Sequence, residues 1–391
     1  MIYVSQIYQN VLQQKEIKMK LNKKMLITTL LGILLLFGTC ENSVFACTGI
    51  RLIATDGGVV YGRTMEWGKF DMHTRIAIFP RGYSFVGLTP DGENGKKWKA
   101  KYGVVGLELL GKDYLSDGMN EEGLAAGLFY HQGFASYPSY EKEKAANTIT
   151  AIDVANFILS QFSTLDEVRQ GMSKVRVVPV VEEALGIPIY AHWMVTSPEG
   201  ESIVIEFVNG EMKIFDCPLG VITNAPTYDW HMTNLRNYLN LSAVAPPDKK
   251  IKDLDFKPLG GGSGMIGLPG DFTPPSRFVR AVAWTLTARP TQTSSETVYE
   301  VFRILDNFNV PLGAAEGSDS PGKTGTMRSA TQWTTAWNLS EQVFYYHTQH
   351  NRRVRTMDVK ALDFSKLGND ILYLPLDKNK RQDLEDITPK K

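Results

Sequence analysis

Short apolar and β-branched runs, each closed by turn-forming residues, fill the first part of the chain. Residues 48–54 and 59–63 flank Thr55-Asp56-Gly57-Gly58, which reads as a hairpin. Residues 75–80 and 104–110 continue the pattern, and Asp117-Gly118-Met119-Asn120-Glu121-Glu122-Gly123 is a turn leading into the run 124–130. The period then changes. Within 150–161, Ile152, Ala155, Ile158 and Leu159 fall at helical spacing, and Thr164 with Glu167 three residues on is a capping box that opens a second helix. The second half repeats this order. Residues 203–208 and 211–215 flank Asn209-Gly210, a strong hairpin signal, and 221–223 reads as a strand ending at Asn224-Ala225-Pro226, where proline imposes an extended approach. Helices are predicted at 228–239, 276–287 and 294–305, and strands at 332–338 and 343–348. The stretch Gly260-Gly261-Gly262-Ser263-Gly264 lacks the lysine of a phosphate loop and reads as a mobile loop.

Strands followed by helices, twice over, point to an α+β fold with two stacked sheets covered by helices on both outer faces. The body contains no linker, low-complexity run or repeat, so 47–391 reads as a single domain. Residues 1–46 have another character. Lys20, Lys23 and Lys24 precede an almost wholly apolar run at 25–38, then polar Glu41-Asn42-Ser43 and the small-residue site Val44-Phe45-Ala46. That is the order of a secretory signal, with the true start at Met1 or at Met19. Its apolar run is shorter than the roughly 17 to 25 residues that span a bilayer, and no later stretch comes closer. An exported protein, periplasmic or extracellular, is expected.

Composition narrows the chemistry. Of 42 basic and 42 acidic residues, five lysines and two glutamates precede Cys47, so the remainder is slightly acidic and offers no basic footprint for nucleic acid. Only Cys47 and Cys217 follow the leader, too few for a disulfide scaffold. The six histidines include no metal-ligand spacing, and no metal or cofactor is expected; His347 and His350 read as a solvated edge. Cys217, in a strand-to-loop segment, reads as an inert thiol.

Cleavage after Ala46 would make Cys47 the first residue, with a thiol and a free amine on one residue. A thiol is mostly protonated at neutral pH and needs an activator; an α-amine with a pKa of about 7.7 to 8.0 is suited to take that proton. The competing reading is a lipoprotein site, at which Cys47 would be lipidated, its amine acylated, and the protein a lipid-anchored binding protein without catalysis.

The chain resembles the choloylglycine hydrolase family, the bile salt hydrolases and penicillin V acylases among the N-terminal nucleophile hydrolases. The resemblance is carried by Cys-Thr-Gly-Ile-Arg at 47–51, Gly-Arg-Thr-Met-Glu-Trp at 62–67, Asp-Gly-Met-Asn-Glu-Glu-Gly-Leu at 117–124, Thr-Asn-Ala-Pro-Thr-Tyr-Asp at 223–229 and Pro-Ser-Arg-Phe-Val-Arg at 275–280. It implies a four-layer αββα sandwich, hydrolysis of linear amide C–N bonds, no cofactor and a homotetramer. It also implies roles: Cys47 as nucleophile, Arg63 beside the thiol, Asn224 as an oxyanion donor and Arg277 as the second arginine. Glu66 stands where the family usually has an aspartate that holds the α-amine. A backbone N–H of Tyr130 or Phe129 would complete the oxyanion hole, and Met65, Trp67, Phe70, Phe129 and Tyr130 are candidates to line the acyl pocket. The substrate stays open among conjugated bile salts, penicillin V and N-acyl homoserine lactones, with bile salts preferred.

Overall fold

The computed structural model describes residues 47–68, 70–315 and 329–389, and the expected leader lies outside them. Two large antiparallel sheets organise these residues. The first runs Val221–Ile222, Cys47–Ile53, Val59–Trp67, Ala330–Asn338, Val343–Thr348 and Arg355–Asp358 in spatial order. The second runs Glu211–Asp216, Ser202–Val208, Ala191–Thr196, Ala125–Tyr130, Tyr114–Asn120, Val104–Leu109, Arg75–Phe79 and Leu372–Pro375.

Strand Val59–Trp67 is buried along its whole length, as expected where both faces are covered. Its alternation shows by what. Tyr61 and Arg63 face the second sheet: a Cβ added at Gly127 would lie 2.1 Å from the Tyr61 hydroxyl, and the Arg63 guanidinium lies 4.2 Å from the centre of the Phe129 ring. Gly62, between them, faces the other way, where a Cβ would meet Val301 of helix Ser294–Leu305 at 2.4 Å. In the second sheet, Gly118 faces away from the first and towards Leu159 of helix Asp153–Gln161. Helix Pro274–Thr287 packs with Ser294–Leu305 on the first sheet. The layers are therefore helix, sheet, sheet, helix. The sheets also approach closely at Gly49, where a Cβ would sit 2.5 Å from the Phe129 ring and 2.9 Å from Ile222.

Several local expectations match. Helix Ser294–Leu305 and strand Val343–Thr348 have the predicted bounds. Thr164 accepts the Glu167 N–H at 3.2 Å to cap Leu165–Met172, while the Glu167 carboxylate accepts from the main chain of Ser163. Asn209 and Gly210 turn the hairpin with φ of 55° and 77°.

Others differ. The helix expected from 150 starts at Asp153, because Thr148–Thr150 pairs in parallel with Arg176–Val178. The helix expected over 228–239 is Tyr228–Asn234 followed by a 3₁₀ turn, Leu235–Tyr238. The glycine-rich stretch forms a 3₁₀ turn, Gly261–Met265, tied by the Ser242 N–H to Gly264 O at 3.0 Å. His347 is buried rather than on a solvated edge. Its strand lies inside the first sheet, and its ring sits 5.2 Å from Phe302 of the covering helix.

Candidate active site

Cys47 opens the second strand of the first sheet and pairs with Met65 across the ladder, which brings Sγ to 3.7 Å from the Met65 Sδ. The Cys47 nitrogen donates to Asn224 Oδ1 at 2.8 Å, and its carbonyl accepts from Arg277 Nη1. Burial pushes the thiol above its ordinary pKa; Arg63 pulls it down, Glu66 pushes it up, and Arg277 pulls it down less strongly. The arginines thus favour the thiolate, but burial outweighs them. The resting sulfur is a thiol that needs a base.

Arg277 comes from the first turn of helix Pro274–Thr287 and is fully buried. Beyond Cys47 O, its fork donates to Thr48 Oγ1 at 2.9 Å and Asn224 Oδ1 at 2.6 Å, and its Nε to Phe272 O at 2.9 Å. Asn224 Oδ1 therefore accepts twice, which fixes its amide the other way round, with Nδ2 donating to Tyr130 O at 2.8 Å. Arg63 crosses between the sheets. Its Nη1 donates to Ser116 O and Leu128 O at the point where the pairing of Tyr114–Asn120 with Ala125–Tyr130 stops, and its Nη2 faces Met65 Sδ at 3.6 Å.

Glu66 is fully buried. Its Oε1 accepts from Thr331 Oγ1 at 2.8 Å, and its Oε2 has no hydrogen-bond partner among the described residues. Burial raises its carboxyl to about 7 against the opposing pull of Arg277 and its hydrogen bonds. A bulge between Thr331 and Trp333 sets this contact, since it places Thr331 opposite Glu66 and Trp333 opposite Met65.

A narrow cavity of about 50 Å³ is lined by Cys47 and by an almost wholly apolar wall that includes Met65, Trp67, Met72, Leu128, Tyr130 and Ile189. A groove of about 690 Å³ shares Met65 and Met72 with it. Of the expected pocket residues, Met65, Trp67 and Tyr130 lie on this wall. Phe70 stacks edge-on against Trp67, with ring centres 5.1 Å apart, and does not line the cavity. Phe129 is buried between the sheets beneath Arg63.

The two expected backbone donors face opposite edges of their strand. The His131 N–H reaches Tyr190 O, so Phe129, two residues away, points the same way, into the ladder. Tyr130 points its carbonyl to Asn224 and hence its N–H to the cysteine side.

Sequence reasoning missed Thr331, Thr48 and a buried group behind Asn224: His131, His192, Glu206 and His231. One signal was present. Glu206 interrupts the apolar run 203–208, and a charge in a covered strand needs a partner. Ligating atoms of His131, His192 and Glu206 lie within 4.8 Å of one another. The two rings, however, are parallel and 4.2 Å apart, so their lone pairs run side by side instead of converging on an ion.

The fold is that of an amidohydrolase of the N-terminal nucleophile class. A family profile described as linear amide C-N hydrolases, choloylglycine hydrolase family, matches residues 47–373. The bile salt hydrolase/transferase of Clostridium perfringens is 33% identical over 333 residues, covering 83% of this chain and 95% of that protein. A crystal structure of a mutant conjugated bile acid hydrolase from Clostridium perfringens superposes with a TM-score of 0.75 at 29% identity, covering 88% of this chain and 100% of the other. The penicillin V acylase of Agrobacterium tumefaciens does so with a TM-score of 0.67 at 26% identity, covering 84% and 91%. The chain belongs to the choloylglycine hydrolase family.

Proposed function

We propose that the protein is an exported cysteine amidase that removes glycine or taurine from conjugated bile salts, with Cys47 as nucleophile. The observation that carries this reading is that Cys47 lines an apolar cavity, with its main-chain nitrogen held by Asn224 Oδ1. Removal of residues 1–46 turns that nitrogen into an amine, and the buried Glu66 carboxylate, whose Oε2 has no hydrogen-bond partner among the described residues, is the group we assign to hold it.

The amine takes the thiol proton, and the thiolate attacks the amide carbon. Asn224 Nδ2 has a second hydrogen beyond the one given to Tyr130 O, and this hydrogen, with the Tyr130 N–H, meets the developing oxyanion. The ammonium then returns the proton to the departing nitrogen, leaving a thioester, which water attacks with the same amine as base. Arg63 and Arg277 stabilise the thiolate and disfavour a lasting positive charge on the amine. These steps need no metal or cofactor.

The apolar wall beside Cys47, continued by the 690 Å³ groove that shares Met65 and Met72 with it, suits a large apolar acyl group on a small amine, which conjugated bile salts and penicillin V share. The likeness to a penicillin V acylase keeps that second reading in view. The test is kcat/KM measured side by side on glycocholate, taurocholate, penicillin V and a long-chain N-acyl homoserine lactone. Glycocholate or taurocholate is expected to give the highest value, and a higher value for penicillin V or the lactone overturns the bile-salt assignment.

Export and the free amine have their own measurement. Intact mass of the secreted protein is expected to match a chain beginning at an unmodified Cys47. A diacylglycerol-sized addition would favour the lipid-anchored binding protein instead. Self-association into a homotetramer is part of the same proposal. Ile251, Leu254, Phe256 and Leu259 are exposed together on and beside the hairpin formed by Lys249–Ile251 and Leu254–Phe256, and light scattering reads the outcome.

A further inference from the structure

The mechanism above does not use the buried cluster behind Asn224. Three imidazoles grip the segment that carries this residue: His192 Nε2 lies 3.1 Å from Thr223 O, His231 Nε2 2.9 Å from Asn224 O, and His131 Nε2 3.2 Å from Pro226 O. A carbonyl oxygen only accepts, so each Nε2 must carry a hydrogen. In a neutral imidazole the other nitrogen is then a bare acceptor. For His131 and His231 this conflicts with nothing, since neither Nδ1 has a hydrogen-bond partner among the described residues. For His192 it does. Its Nδ1 lies 2.9 Å from Glu206 Oε1, an oxygen that already accepts the Tyr228 N–H at 2.9 Å. Two acceptors do not make a bond at that distance without a hydrogen between them.

We propose that His192 Nδ1 and Glu206 Oε1 share one proton, and that this proton locks the Thr223 to Pro226 segment so that Asn224 stays in register with Cys47. His192 and Glu206 are then positioning residues that act through Asn224. The proton balance has two forms, a neutral carboxyl against a neutral imidazole or a carboxylate against an imidazolium. The surroundings favour the first. Burial raises the Glu206 carboxyl to about 7 and depresses His192, which Arg63 depresses further.

The other groups facing the pair come from three elements. His131, just past strand Ala125–Tyr130, stacks on His192 and lies 3.9 Å from Glu206 Oε1, favouring the carboxylate. Asp229 of helix Tyr228–Asn234 raises the Glu206 carboxyl, and Lys213, opposite it on strand Glu211–Asp216, lowers it. His231 is buried and depressed in its turn.

The sign of the pH effect follows. A carboxyl raised by folding keeps its proton at low pH and loses it as pH rises through the folded value. Loss leaves a carboxylate against a bare ring nitrogen, which repels His192 from Thr223 O and frees the segment. An oxyanion donor acts in the transition state, so the cost falls on kcat and not on KM.

The proposal rests on the role given to Asn224 above, and two measurements on the full mature chain separate the two ideas. With glycocholate, wild-type kcat is expected to fall on the alkaline side of neutrality. Glu206→Gln, which cannot titrate and cannot satisfy both Tyr228 N–H and a bare His192 Nδ1 through one atom, should lower kcat at pH 6 by about ten- to a hundredfold. That is part of the roughly hundred- to thousandfold worth of an oxyanion donor. KM should stay within about twofold, and the alkaline limb should vanish. A folded Glu206→Gln protein with wild-type kcat and the wild-type alkaline limb overturns the proposal.

Nitrogen-15 spectra of histidine-labelled wild type need neither the variant nor turnover. They should show His192 with hydrogen on Nε2 and with its Nδ1 signal titrating in step with Glu206. Hydrogen on Nδ1 with a bare Nε2, or an Nδ1 signal that does not move with Glu206, overturns it. Wild-type protein inert on every amide tested would instead overturn the amidase reading, and the spectra would still decide the shared proton.

Discussion

Cys47→Ala should abolish turnover, a loss on the order of a millionfold in kcat, the scale for deleting a covalent nucleophile. The protein should still fold. The Cys47 Sγ lies 3.7 Å from Met65 Sδ, and its removal deletes a single buried atom at a cavity wall, a cost of about 1 kcal/mol. Cys47→Ser should fold as well and retain only a trace of activity. The thiol is already raised by burial, and a hydroxyl in the same place is far harder to ionise. Steady-state kinetics and thermal unfolding on the same preparations check both halves. A thiol reagent should inactivate through Cys47 and spare Cys217, which is buried with Sγ donating to Val221 O at 3.6 Å. Inactivation through Cys217 alone would remove Cys47 from the mechanism.

The second large effect should come from Arg277→Leu. This change strips the donor from Cys47 O, Thr48 Oγ1, Asn224 Oδ1 and Phe272 O together. Breaking buried charge-assisted contacts of this kind costs about 3 to 5 kcal/mol. It also removes the main opposite charge that holds the Glu66 carboxyl down. Denaturant titration should show that loss of stability, and kcat/KM should fall by about a thousandfold, because Asn224 and Cys47 lose the group that ties them. Arg277→Lys should fall between, since an ammonium keeps the charge but not the fork. A leucine variant as stable as wild type and within tenfold of its activity would show that the guanidinium does not organise the site.

What could be read in the sequence was what local chemistry decides. Thr164 with Glu167 opens a helix without help, and Asn209-Gly210 turns a hairpin in any context. The order of strands in each sheet depends on contacts far apart in the chain, and nothing in the run 330–338 foretells that it lies against Val59–Trp67. The site divides in the same way. Cys47, Arg63, Glu66, Asn224 and Arg277 could be named from motifs, but what each touches could not. Both arginines, besides their charge, donate to main-chain oxygens of other segments. Thr331 was hidden because a bulge aims it, and the histidine cluster because its members lie on three separate elements. The expectation for His347 failed because a polar residue near a strand end looks solvated until the covering helix is known.

Arg63 has one further consequence. It leaves a strand of one sheet and ends on carbonyls of two strands of the other, filling the place of a missing rung between them. A sheet that loosened alone would strand a guanidinium in an apolar layer together with the two oxygens it serves. Partial opening is therefore nearly as costly as complete opening, and the slowest amide protons of both sheets should exchange through one common unfolding event. The arginine beside the thiol makes two sheets into a single cooperative unit.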